Sequence, residues 1–182
     1  MHTIKARWQN WEGNAAEDMV LNEAKEGIFV ESTITNIRKE NFTVGYTITC
    51  DVSWKVKEFT VELVGKGKKI QFESDGLGHW SDDTGIITKL NGAIDIDISA
   101  SPFTNTLPIR RLKLSAGQSA EISVVYITVP ELDVSLDRQK YTCIIPNRLY
   151  RYESLESDFV REIEVDENGL VLLYPGLFKR IQ

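Results

Sequence analysis

Asp95 and Asp97 stand two residues apart in the run Ala93-Ile94-Asp95-Ile96-Asp97-Ile98-Ser99, and a polar turn, Pro102-Phe103-Thr104-Asn105-Thr106-Leu107-Pro108, leads on to Ile109-Arg110-Arg111. Residues two apart in a strand share a face, so both carboxyls point one way while Ile94, Ile96 and Ile98 take the other. If the acidic face is partly buried it needs cations or hydrogen-bond donors. The nearest in sequence are Thr104, Asn105, Arg110 and Arg111. Two chemistries fit these residues. Close carboxyls push their pKa values apart, so one could hold a proton near neutrality and serve as a general acid beside a general base. The alternative is a structural ion-pair network with the arginines, favoured because no nucleophile or ligand set for a metal stands beside the pair.

The hydroxyl and amide groups of Thr104-Asn105-Thr106 suit sugar or phosphate oxygens, and Arg110 could clamp an anionic headgroup through two parallel hydrogen bonds. The same side chains serve equally well to satisfy turn backbone and cap a short helix begun by Pro108. Aromatic residues are the second resource. Trp54, Trp80, Tyr126 and Tyr152 could line a pocket and stack on a ring or cover an acyl chain, although plain core packing accounts for any individual ring.

Other chemistries are poorly supplied. His2 and His79 are the only histidines, so a histidine-rich metal site or a histidine-based triad would rest on His79 alone. Asp82-Asp83 and Asp95-x-Asp97 do not complete a calcium loop, and no metal or cofactor is expected. Cys50 and Cys143 each lie in an apolar run and read as small buried hydrophobes. The formal net charge of −6 argues against nucleic acid as a partner, as do basic residues scattered along the chain. Arg148 and Arg151 alternate with Tyr150 and Tyr152, but no wider basic track surrounds them. No apolar run approaches the ~20 residues of a membrane helix, and the opening residues lack the pattern of a signal peptide. The expectation is therefore a cytoplasmic chain with no stable membrane insertion.

The elements that must position these groups are strands. Val44, Tyr46, Ile48, Cys50, Val52 and Trp54 alternate with small or polar residues, and the same rhythm recurs from Glu58 to Val64, Lys69 to Asp75, Ala93 to Ser99, Ala120 to Val129, Tyr141 to Ile145, Arg148 to Glu153, Phe159 to Val165 and Leu170 to Tyr174. Weaker copies run from Thr3 to Gln9 and from Ile28 to Ile37. Gly65-Lys66-Gly67, Asp75-Gly76-Leu77-Gly78, Asn91-Gly92 and Asn168-Gly169 supply hairpin turns. Only Trp11 to Ala24 and Phe103 to Leu112 could hold short helices, and neither has a sustained helical apolar stripe. With 182 residues and no linker or repeat, the chain is expected to be one all-β domain over residues 1–182. So many strands in a flat sheet would leave open edges, which favours a single curled antiparallel sheet, a β-roll or half-open barrel.

With that reading in place, the chain resembles the bacterial glycolipid-binding family, formerly a domain of unknown function. The resemblance is carried by Trp11-Glu12-Gly13, Tyr46 to Trp54, Asp75-Gly76-Leu77-Gly78-His79-Trp80, Leu90 to Leu112, Gln139-Lys140-Tyr141-Thr142, Tyr150-Arg151-Tyr152-Glu153, and Gly169-Leu170-Val171 with Tyr174 to Phe178, the specific part being Pro102 to Leu112. It departs at Ala93, where the family often carries a cysteine. The resemblance implies a curved sheet similar to the carriers that move bacterial lipoproteins, holding an amphiphilic ligand such as a glycolipid in its concave side. Apolar strand faces and aromatics would hold the tail. The polar head would meet Asp95, Asp97, Thr104, Asn105, Arg110 and Arg111, with Trp54, Trp80, Tyr126 and Tyr152 among the residues lining the site. The rival reading is a hydrolase or isomerase of a small polar substrate using the Asp95/Asp97 pair, and a third is an interaction protein without a small ligand.

Overall fold

The computed structural model describes residues 2–37 and 41–182. Among these described residues, alternating side chains build fifteen strands. The first eight are β1 (His2–Asn10), β2 (Ala15–Ala24), β3 (Gly27–Asn36), β4 (Phe42–Cys50), β5 (Val56–Leu63), β6 (Lys68–Ser74), β7 (Trp80–Asp82) and β8 (Gly85–Ile86). The remainder are β9 (Ala93–Ile98), β10 (Ser119–Ile127), β11 (Val134–Ile145), β12 (Leu149–Ser154), β13 (Val160–Val165), β14 (Val171–Tyr174) and β15 (Phe178–Arg180). They form one sheet in the order β8-β7-β6-β5-β4-β3-β2-β1-β15-β14-β13-β12-β11-β10-β9. The first strand thus pairs with the last in the middle of the sheet.

The sheet is all-β and curled without closing. Its edge strand β9 comes round to lie beside β5, and two hydrogen bonds pin the start of β9: Gly92 N–H to the Gly78 carbonyl at 2.9 Å, and Trp80 Nε1 to the Ala93 carbonyl at 2.7 Å. The strand edge is covered rather than left open. Gly78 is required there. It has φ +94°, and a Cβ at this position would stand 2.9 Å from Gly92 Cα.

Two sequence expectations change. Trp11–Ala24 holds no helix; Ala15–Ala24 is a strand paired on both sides, with β1 and β3, and its inward positions are Glu17, Met19 and Leu21. Pairing with two neighbours outweighs the weak β-propensity of a segment whose one β-branched residue is Val20. The sheet is also not wholly antiparallel, because β9 and β10 run parallel. A parallel pair needs a crossover, and the segment Phe103–Leu112 supplies it. It forms a 3-10 turn at Phe103–Asn105 and then α1 at Thr106–Leu112, with Pro108 in the first turn, where a missing N–H costs nothing.

That crossover fills the middle of the concave face. Residues 101–109 are all buried, as a helical segment enclosed on every side must be. Phe103 and Leu107 join a core made with Trp8, Val30, Ile48, Phe59, Ile96 and Val125, whereas Ile109 joins a second cluster with Tyr141, Tyr152, Ile163 and Tyr174. Hydrogen bonds tie the plug in place: Tyr141 donates to Asn105 Oδ1 at 2.9 Å, and Thr106 Oγ1 to the Gly169 carbonyl at 2.9 Å. The open space on the concave side is divided between the two ends of the plug.

Candidate functional site

At the start of the plug a groove of about 500 Å³ opens between β9–β12, the 154–159 turn and the β14–β15 hairpin. Such a volume suits a small ligand or the head of a larger one. Asp97, Asn105, Tyr126, Asp137, Tyr152, Phe159, Tyr174 and Phe178 line it, with the serines 99, 101, 154 and 157. Its aromatic wall is continuous. Ring centroids stand 5.9 Å apart for Tyr152 and Phe159, 6.4 Å for Phe159 and Tyr174, and 6.4 Å for Tyr174 and Phe178, tilted or edge to face.

The Asp97 carboxylate meets this wall. Gln139 Nε2 donates to Asp97 Oδ2 at 2.7 Å and also lies 3.2 Å from Asp137 Oδ2, so one amide bridges two carboxylates. Thr104 Oγ1 stands 3.0 Å from Asp97 Oδ1. Burial raises the Asp97 pKa above the usual carboxylate range; the Gln139 and Thr104 hydrogen bonds oppose the rise and the neighbouring Asp137 charge adds to it. No lysine or arginine pairs with Asp97 or Asp137 among the described residues.

Asp95 has a different environment. It is fully buried and grips Arg111, with Nη2 to Oδ2 at 2.6 Å and Nε to the two oxygens at 3.0 and 3.1 Å. Its pKa is raised by burial and held down by that guanidinium. A bulge at Ile94 explains the local arrangement. The register with β10 jumps from Ala93 opposite Ser123 to Asp95 opposite Val124, so Ala93, not Ile94, joins Ile96 and Ile98 in the core.

The ten residues singled out from the sequence therefore do not form one headgroup site. Asp97, Asn105, Tyr126 and Tyr152 share the groove, with Thr104 buried directly behind Asp97. Asp95 and Arg111 form the ion pair. Arg110 points to the other end of the plug, where it hydrogen-bonds Glu23 at 3.0 Å and the Asn168 carbonyl at 3.1 Å and stacks 4.6 Å over the Trp54 ring. Trp54 and Arg110 line a second groove there of about 480 Å³ with Ile109, Lys113, Leu114 and Tyr150. Trp54 follows the strand rather than ending it: β4 stops at Cys50, an Asp51 turn intervenes, and Val52 is exposed. Trp80 is a core residue against Phe59, with ring centroids 5.5 Å apart.

Asp137, Gln139, Phe159, Tyr174 and Phe178 belong to the site without having been singled out: Gln139 is buried behind the wall and holds Asp97, and the other four line the groove. A signal for the first two exists in β11. Its inward positions are Asp137, Gln139, Tyr141 and Cys143, and the change from apolar to polar marks where packed core gives way to open groove. Glu17 is the other unforeseen group. It is buried on β2 and accepts hydrogen bonds from Ser32 Oγ at 2.9 Å, Ser101 Oγ at 2.9 and 3.0 Å, and the Tyr46 hydroxyl. Ser101 also lines the groove, so Glu17 lies just behind its floor.

His79 stands in an exposed turn with Nδ1 2.6 Å from Asp75 Oδ2, and its hydrogen bond with backbone donors of the turn lowers the Asp75 pKa to about 2. No group of three or more His, Cys, Asp or Glu side chains among the described residues is arranged to hold a metal. Cys50 and Cys143 are free and buried, and burial pushes the Cys50 thiol well above its ordinary range. No helix among the described residues is long and apolar enough to cross a membrane.

Comparison with known proteins agrees with this architecture. Residues 5–180 match the family described as "Putative glycolipid-binding". The crystal structure of a DUF1089 family protein from Pseudomonas aeruginosa is similar to this chain, with a TM-score of 0.79, 39% sequence identity, and coverage of 91% of this chain and 92% of that one. No curated protein matches it.

Proposed function

The chain belongs to the glycolipid-binding family, and from that premise we propose that it binds an amphiphile whose sugar head enters the Asp97 groove. One observation carries this reading: the rings of Tyr126, Tyr152, Phe159 and Tyr174 and the unpaired Asp97 carboxylate face the same opening. A sugar offers an apolar ring face and a set of hydroxyl donors, and those are the two things the groove can receive. Asn105 and the serines at 99, 154 and 157 add groups that can donate or accept, and Glu156 adds an acceptor at the rim. The plug reserves most of the concave face for the protein's own core. The ligand's apolar part is therefore taken up beside the head, along Phe178 and Leu177, rather than along the whole sheet.

The protein works in this reading as a single binding unit spanning the chain, in the cytoplasm, where its free cysteines stay reduced. Extraction of gently purified protein followed by mass spectrometry tests it. A co-purifying glycosylated amphiphile, lost when Tyr152 and Phe159 are both replaced by alanine, is the expected result. Recovery of the same amphiphile from wild type and from that variant would contradict the assignment of the groove.

A further inference from the structure

The groove's lining holds three carboxylates, Asp97, Asp137 and Glu156, and no lysine or arginine. Arg161 is the nearby cation, but its guanidinium is 4.7 Å from the Phe159 ring centroid and its Nη1 donates to the Val160 carbonyl at 2.7 Å. The two arginines expected to receive an anionic head are engaged elsewhere, Arg111 by Asp95 and Arg110 by Glu23. An incoming phosphate, sulfate or carboxylate would meet three like charges in the lining, with Arg161 set outside it against the Phe159 ring. A protonated amine meets the opposite. It gains an ion pair with Asp97, which Gln139 already orients, and its positive charge is attracted to the faces of the surrounding rings.

We infer that the head taken by this groove is a sugar bearing a protonated amine, in preference to a neutral or an anionic sugar. This rests on the reading of the groove as a sugar-head site. Asp97 is the residue that distinguishes the three, since Gln139 and Thr104 fix it at the groove wall while leaving its charge without a cation. Asp137, held through the same Gln139 amide, contributes through its field.

Titration calorimetry at neutral pH compares three probes of equal chain length on the full chain: octyl glucoside, its 2-amino-2-deoxy analogue and octyl phosphate, each kept monomeric. The expected result is binding of the aminated glycoside at least tenfold tighter than octyl glucoside, with no measurable binding of octyl phosphate. The preference for the amine should shrink severalfold in Asp97→Asn, and in Asp137→Asn if the former does not fold. Equal binding of the two glycosides, or tighter binding of octyl phosphate, overturns the charge preference and leaves the groove as a site. Failure of all three probes to bind overturns both. A preference that survives unchanged in a folded Asp97→Asn protein overturns the assignment to that carboxylate.

Discussion

Ser101 Oγ lies 2.9 and 3.0 Å from the two carboxylate oxygens of Glu17, joining the second strand of the sheet to the turn that opens the helical plug, 84 residues later. Ser32 and Tyr46, on the next two strands, add their hydroxyls to the same carboxylate. A buried acid is thus the meeting point of three neighbouring strands and the segment they enclose. Each donor satisfies a lone pair that would otherwise be stranded in the core.

Burial raises the Glu17 pKa from 4.5 to about 7, against the opposing effect of the Tyr46, Ser32 and Ser101 hydrogen bonds. The folded state therefore holds this proton more tightly than the unfolded chain. Its contribution to stability is fully present below the unfolded value and is lost as pH rises through about 7. The size of the loss follows at roughly 3 kcal/mol. Urea unfolding should show a midpoint that falls between about pH 5 and about pH 8, and Glu17→Gln should flatten that slope. A slope that survives in Glu17→Gln would assign it to other groups.

Arg111→Lys should cost about 1–3 kcal/mol, because lysine supplies a single point charge where Asp95 now receives a planar fork. Arg138→Lys, in an exposed pair with Glu121, should change stability by no more than about 0.5 kcal/mol. A double-mutant cycle of Arg111→Gln with Asp95→Asn should give a coupling of about 1 kcal/mol or more. Additive effects would show that the pair is not energetically linked.

Gly78→Ala should destabilise the fold by more than about 1 kcal/mol, since alanine is strained at φ +94° and its methyl meets backbone of Gly92 rather than a movable side chain. The loss belongs to the seam between the start of β9 and the β6–β7 turn. Trp80 packs there, so its fluorescence is the local reporter. Unchanged unfolding of Gly78→Ala would show that the seam carries no stability.

Strand alternation and glycine turns made the β-architecture legible, and two carboxyls on one strand face announced that an arginine was needed. What stayed hidden depends on register and on contacts far apart in sequence. Glu17 occupies the apolar parity of Glu17-Met19-Leu21, yet only the approach of Ser101 explains how it is tolerated. The division of Arg110 from Arg111 arises because consecutive residues of a helix project in directions about 100° apart, so one faces β9 and the other Trp54. Asp137 and Gln139 became visible as site residues once β11 was found to extend back to Val134, which put both on the inner face. Trp80 shows the opposite limit: an aromatic of the right kind serves the core because its indole N–H finds a carbonyl there.

Occupation of the Asp97 groove by the head of an amphiphile is measured by titrating octyl glucoside against the protein and against Ser157→Trp. Ser157 lies at the groove among the exposed residues 156–158, so a tryptophan there fills the opening without entering the core. Chemical-shift changes of backbone amides report both affinity and place. The expected result is saturable binding with shifts concentrated at Asp97, Tyr126, Tyr152 and Phe159, and at least tenfold weaker binding by a folded Ser157→Trp. Saturable binding of equal strength in both proteins, or shifts that cluster around Trp54 and Lys113 instead, would contradict it.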